Sequence, residues 1–410
     1  MLNLQPAQNP RTPSKHQSIG LAIAGGGPIG GIYELGALRA LDEAVEGLDM
    51  GRLDVYVGVS SGAFLAAGLA NGLSTADMCR MFITDEAHGH QFRPEMFLRP
   101  AFAEYFKRAA KAPRILIDWI NMLATHPLET RLTDVFGLLG GMVPTGLFDN
   151  NSLERFLSEV LTSSGRSNDF RELPRKLYIV AVELDTGEPV RFGAPGYDHV
   201  AVSKAVQASS ALPGFYPPVE IDGKQYVDGA LRRTLHASVA LDEGVDLLIG
   251  INPLVPFDAA RARSNGRVIP NSLIAGGLPA VLSQALRAML QSRMLVGIAK
   301  YTQTYVNSDL IVFEPDPDDI EMFFTNVFSF ASRQSLGEHA YDNTMADLRA
   351  RRVEIAATLR RHGLRLRDEV LDDRDRNLWT GLGLKPPRRT STTTQLRRTL
   401  DDLEHVLARR

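Results

Sequence analysis

Val55-Tyr56-Val57-Gly58-Val59-Ser60-Ser61-Gly62, continued by Ala63 to Gly72 (AFLAAGLANG), decides how this chain is read. Residues 55–59 are apolar, β-branched or aromatic apart from one glycine, and predict a buried strand. The small apolar residues after Gly62 predict a helix. Ser60 stands at the turn between them, inside Gly58-x-Ser60-x-Gly62. A serine there has the form of a nucleophile elbow: glycines on both sides admit a sharp turn and let a substrate carbonyl approach. The N-terminus of the following helix also favours a developing negative charge. The competing reading of Ser60 is a structural turn residue.

One strand earlier, Ile19 to Ala24 (IGLAIA) is another apolar run. It ends in Gly25-Gly26-Gly27-Pro28-Ile29-Gly30-Gly31, and a helical pattern follows with Leu35, Leu38 and Leu41 on one face. Leu177 to Leu184, Leu247 to Ile251 and Leu310 to Phe313 predict three further strands, with helical patterns between them. Alternation of this kind predicts an α/β fold with a mainly parallel sheet. Gly25-x-Gly27-x-x-Gly30 also spells a dinucleotide fingerprint. That fingerprint requires an acid at the end of the next strand to bind a ribose. Here the next strand ends in Val59-Ser60-Ser61-Gly62, and the nearest acid, Asp54, lies at its start. The glycine loop is therefore read as a source of backbone N–H donors beside Ser60.

A nucleophilic serine needs a base. None of the nine histidines has a persuasive setting; His236, after Thr234-Leu235, is the one close to a motif. Asp228-Gly229-Ala230 is better placed, following a turn at Asp222-Gly223-Lys224 and a short strand, Gln225-Tyr226-Val227. The glycine leaves the carboxylate uncrowded, and partial burial would raise its pKa enough to accept a proton. A plain turn aspartate is the alternative, as it is for Asp185 in Asp185-Thr186-Gly187.

GGGPIGG, then GVSSG, then Ala208-Ser209-Ser210-Ala211-Leu212-Pro213-Gly214-Phe215-Tyr216-Pro217-Pro218, then Asp228-Gly229-Ala230 together resemble the patatin-like phospholipase family, in order and spacing, from about Leu21 to Ile251. The resemblance implies a three-layer α/β/α fold and hydrolysis of lipid acyl esters by a Ser–Asp dyad without a catalytic histidine, metal or organic cofactor. Ser60 matches the nucleophile and Asp228 the proton acceptor. Gly26 and Gly27 match oxyanion positions within the loop Gly25 to Gly30. The family loop usually carries Arg or Lys where this chain has Ile29, and Pro28 offers no N–H. The 208–218 segment is read as scaffold, with Phe215 toward the acyl pocket.

Outside the motifs, residues 1–18 are expected to be a flexible leader, with no apolar stretch of secretory type. The catalytic domain is expected over 19–254, with an aromatic-rich helical insertion at about 78–149 that would cover an apolar pocket or meet lipid. An α-rich extension is expected over 255–385, a linker over 386–394, and an amphipathic helix over 395–410, with Leu396, Leu400, Leu403 and Leu407 at helical spacing. Residues 351–410 hold fifteen basic against nine acidic side chains, while the whole chain carries a net charge of −3. No global basic field points to nucleic acid. A single cysteine, Cys79, excludes an intrachain disulfide and a thiolate zinc cluster. No run of about twenty uncharged apolar residues predicts a transmembrane helix, so the cytoplasm is the expected compartment, with peripheral membrane contact left open. The oligomeric state is not legible. Two other functions compete: a Ser–His–Asp carboxylesterase, which would place its nucleophile later in the chain and require a late histidine, and a non-catalytic lipid-binding protein on the same fold.

Overall fold

The strand Ile19–Ile23 sends Leu21 and Ile23 into one hydrophobic core and Ala22 into another. This is the period-two alternation of a strand covered on both faces. In a computed structural model that describes residues 1–10, 17–84, 99–110, 143–163, 165–269, 273–325 and 330–386, the strands are β1 (Leu2–Gln5), β2 (Ile19–Ile23), β3 (Val45–Glu46), β4 (Val55–Gly58), β5 (Lys176–Glu183), β6 (Pro189–Phe192), β7 (Val219–Ile221), β8 (Lys224–Asp228), β9 (Leu247–Ile251), β10 (Asp309–Phe313) and β11 (Arg365–Leu366). Nine of them form one sheet in the order β1-β10-β9-β2-β4-β5-β8-β7, with β6 paired to β5. Strands β10, β9, β2, β4 and β5 run parallel; β1, β6, β7 and β8 pair antiparallel at the margins. Strands β3 and β11 make a separate short ribbon.

Five helices matter for the site: α1 (Gly27–Ala44), α2 (Ser61–Ala70), α3 (Val202–Ser209), α4 (Gly277–Thr304) and α5 (Phe330–Ala350). On one face of the sheet, residues of α1, α2, α3 and α5 pack with Leu21, Tyr56, Ile179 and Ile249. On the other face, the short helix Ser238–Asp242 and Met294 and Ile298 of α4 pack with Val57, Val180, Leu248 and Val312. The result is the expected three-layer α/β/α fold with a mainly parallel sheet.

Two expectations are corrected, and one helix goes beyond the sequence reading. The leader is not loose throughout: β1 pairs with β10 along Leu2–Gln5, and the Ala7 N–H donates to Asp309 Oδ1 at 2.8 Å. An edge strand of alternating apolar residues is stabilised by a partner that lies about 310 residues away in sequence, which local composition does not reveal. The boundary at 254 does not separate two units, because β10 completes the same sheet and α5 lies directly on α1. A Cβ at Gly36 would stand 2.5 Å from the Gly337 carbonyl oxygen, so the two backbones touch. Lastly, Leu273–Thr304 is long and apolar enough to cross a membrane by length and composition. Its few scattered cations hide it from a search for uncharged runs. Of the insertion expected at 78–149, the described parts include the helix Phe102–Ala109 and a π-turn at Arg80–Thr84. Residues 85–98 and 111–142 of that insertion, the linker beyond 386 and the terminal helix lie outside the described residues.

Candidate active site

Ser60 sits between β4 and α2 with φ +52° and ψ −120°, in the left-handed half of conformational space that an L-residue enters only under constraint. Its neighbours supply the constraint. The Val59 N–H donates to the Ile23 carbonyl at 3.1 Å and the Gly62 N–H to the Ala24 carbonyl at 3.2 Å, tying the turn to β2. A Cβ at Gly58 would lie 2.4 Å from Ala63 Cα, and one at Gly62 would lie 2.4 Å from the Ile23 and Ala24 carbonyl oxygens. Both glycines are thus required by the closeness of backbone. The Ser60 N–H donates to Ser209 Oγ at 2.9 Å, and the Ser209 hydroxyl donates to the Val180 carbonyl at 2.6 Å. Ser209, at the end of α3, belongs to the segment read as scaffold; its role as the brace of Ser60 depends on a contact 149 residues away, and no local pattern signals it.

Asp228 ends β8. Because the sheet order is β4-β5-β8, β5 alone separates the strand before Ser60 from the strand that delivers Asp228. The Asp228 N–H donates to the Ala211 carbonyl at 3.0 Å, and its Oδ1 accepts the Ala230 N–H at 2.8 Å. The next residue must be glycine, since a Cβ at Gly229 would stand 2.2 Å from the Val180 carbonyl oxygen. Asp228 is 3% exposed. Burial pushes its pKa up to about 6, while the Ala230 N–H and the Ser60 side chain pull it down.

The glycine loop arrives beside this pair. A Cβ at Gly25 would meet Ser60 Cβ at 2.9 Å and Ala230 Cβ at 3.2 Å, so Gly25 lies between the serine turn and the Asp-Gly-Ala turn. Gly26 caps α1, and a Cβ there would collide with Pro253 at 2.5 Å; Gly30 packs on the same proline. Gly27 opens the helix at φ +61°. The N-termini of α1 and α2 converge on one pocket, which Gly27, Pro28, Ser60 and Ser61 line from the backbone side. Its walls are Leu35, Phe64, Phe82, Leu153 and Tyr216, and among the described lining residues the charged side chain is Arg333 of α5. Phe82, from the expected insertion, does line the pocket. Phe215 does not: it is 52% exposed, and its neighbour Tyr216 takes the place. Ile29 packs against the hydrophobic core.

His236 is buried with φ +46°, and its Nε2 donates to the Gly229 carbonyl at 3.2 Å. Burial holds its pKa down at about 4. Glu34 of α1 is fully buried beneath Ser61, whose hydroxyl donates to it at 3.4 Å; burial raises its pKa well above the carboxylate range. Nothing in the sequence pattern singled out Glu34, Arg333 or Pro253. Among the described residues no three His, Cys, Asp or Glu side chains gather where they could hold a metal ion.

Comparison with known proteins bears on the same segment. The chain is 26% identical over 223 residues to uncharacterized NTE family proteins of Mycobacterium bovis and Mycobacterium tuberculosis, a match that covers 54% of this chain and 28% of each relative. The chain thus spans less than a third of the length of these curated relatives. Among solved structures, VipD from Legionella pneumophila is similar at 17% identity and a TM-score of 0.31, over 61% of this chain and 52% of that one. Human GIVD cytosolic phospholipase A2 is similar at 13% identity and a TM-score of 0.33, over 82% and 62%. Both scores are low, and the assignment rests on sequence: the model of the patatin-like phospholipase family matches residues 21–241. That segment is more than half of the chain and holds the glycine loop, the Ser60 turn and Asp228, so the chain belongs to the patatin-like phospholipase family.

Proposed function

We propose that this chain is a serine acyl hydrolase that cleaves fatty-acyl esters of lipids. One observation carries the reading: a serine on a strained turn, next to a buried carboxyl group of raised pKa, at the mouth of an apolar pocket. The acyl chain lies between Leu35, Phe64 and Phe82, and the ester carbonyl carbon meets Ser60 Oγ. As Oγ attacks, Asp228 takes its proton. An aspartate with a pKa of about 6 is mostly ionised at neutral pH and still basic enough to act. Backbone N–H groups of Gly26 and Gly27 hold the tetrahedral oxyanion, helped by the positive end of α1. Collapse of this intermediate breaks the ester C–O bond, and the alcohol leaves with the proton from Asp228. Water, giving a proton to Asp228, then attacks the acyl-enzyme, and Ser60 regains its hydrogen as the fatty acid departs.

The substrate class follows from the loop and the pocket walls. Ile29 cannot pair with a phosphate, so the glycine loop adds no charge of its own, and the described walls are apolar apart from Arg333. Neutral or short-to-medium acyl esters are the expected good substrates, with at most a modest preference for anionic phospholipids. The test is labelling by a fluorescent fluorophosphonate, with and without Ser60→Ala, followed by a lipid panel. Labelling that survives Ser60→Ala would overturn the assignment of Ser60 by showing another nucleophile, and no turnover of any ester in the panel would favour a lipid-binding protein.

A further inference from the structure

We infer that α4 is a membrane-docking element that lays its outward face on a bilayer containing anionic lipid. The helix has two apolar faces. One holds Leu290, Met294 and Ile298 and is buried against the protein. On the opposite face Leu278, Leu282, Met289 and Val296 are all exposed, by 70%, 58%, 49% and 70%. At 1.5 Å per residue this stripe is about 27 Å long. Val281 and Leu295 flank it, and Ile274 extends it before the helix begins. An exposed apolar surface of this extent marks an interaction site.

Charge selects the occupant. From Leu273 to Thr304 there is no Asp or Glu, while Arg287, Arg293 and Lys300 are basic. Arg287 is turned inward, where it donates to the Val255 carbonyl at 3.3 Å and lies over the Phe323 ring. Arg293 and Lys300 are exposed beside the stripe. A second copy of the helix would bring the same cations and no acid to meet them, whereas anionic headgroups complement them. A spanning orientation is excluded while the inner face stays docked, because its buried residues, Arg287 and Gln291 among them, would have to leave the protein.

The placement suits a lipid substrate. Arg293 Nη1 donates to the carbonyl of Leu231, three residues after Asp228, at 3.1 Å. Gln291 faces Asn252 at 3.3 Å, and the next residue, Pro253, packs on Gly26 and Gly30 of the pocket loop. Through Gln291 and Arg293, α4 thus touches the segments that follow Asp228 and back the glycine loop, while it covers the opposite face of the sheet from α1 and α2. The benefit to catalysis rests on the acyl-hydrolase reading; the binding itself does not.

The experiment is co-sedimentation of the full chain with phosphatidylcholine vesicles, with and without phosphatidylglycerol. The wild type is compared with Leu282→Glu/Val296→Glu, and both are assayed on a soluble p-nitrophenyl ester. Because both positions are exposed, the double variant should fold and should keep its activity on the soluble ester, while its affinity for phosphatidylglycerol vesicles falls by about tenfold or more. Equal vesicle binding by wild type and double variant would overturn the inference. So would a wild-type dimer in light scattering that the double variant abolishes while neither protein binds vesicles. Failure of the hydrolase reading would be seen separately, as a soluble-ester activity that Ser60→Ala leaves intact.

Discussion

His236 donates its ring N–H to the carbonyl of Gly229 at 3.2 Å, so this buried histidine braces the turn behind Asp228. Burial keeps this ring neutral, with a pKa near 4 against 6.5 in the unfolded chain. The unfolded state therefore binds the proton first, and stability is lost as pH falls from about 6.5 to about 4, by up to about 3 kcal/mol. His236→Asn, which tolerates positive φ, should remove this loss. In urea melts the stability of the variant relative to wild type should rise as pH is lowered through that window. Its activity should fall far less than that of Asp228→Asn. Equal losses in the two variants would point to a histidine triad.

Asp228 behaves with the opposite sign. Its pKa is about 6 in the folded chain and 3.8 unfolded, so ionising it costs the native state up to about 3 kcal/mol above pH 6, and nothing below about pH 4. Asp228→Asn should lower ester hydrolysis by ~10⁴ or more, because the amide cannot accept the serine proton. The same variant should melt at a higher temperature than wild type at pH 8, with the gap closing by pH 4. In the wild type, kcat/KM should rise with pH through a limb near 6. A profile flat from pH 5 to 8 would remove Asp228 as the base.

Ser60→Ala and Ser60→Gly should both abolish labelling and turnover, but differ in stability. At φ +52° and ψ −120° an L-residue is strained by about 1–3 kcal/mol, and glycine is not. Thermal unfolding should therefore rank Ser60→Gly above Ser60→Ala. Ser61→Ala is the control: it loses the contact with Glu34 but keeps most of its activity. Labelling at Ser61 would sink the assignment.

Gly25→Ala and Gly27→Ala separate the two tasks of the glycine loop. At Gly25 the added methyl would be driven between Ser60 and Ala230, at 2.9 and 3.2 Å. Displacing Ser60 by such a wedge should cost ~10² or more in kcat. At Gly27 the methyl would enter open space, and the cost comes from φ +61° alone. That variant should lower kcat more than it raises KM, because N–H groups turned aside matter most when the oxyanion forms. An unchanged kcat with a shifted KM would make the loop a substrate-binding element only.

The sequence by itself determined the order of the central strands' chemistry: which run ends in the glycine loop, which in Ser60, which in Asp228. These are local signals, since a strand covered on both faces must be apolar throughout and a turn of forbidden φ must be flanked by small residues. It also placed glycines on both sides of Ser60 and after Asp228, while the closeness of backbone that requires Gly58, Gly62 and Gly229 came from the structure. What only the tertiary structure decided are contacts between residues far apart in the chain. Ser209 beneath Ser60, Pro253 behind Gly26, Arg333 in the pocket wall and β1 at the sheet edge each depend on a partner more than a hundred residues distant. No periodicity encodes such a pairing. The outward face of α4 was hidden for a related reason: a helix that is apolar on two opposite faces looks in sequence like a buried one, and only the packing of one face against the sheet shows that the other is left to the solvent.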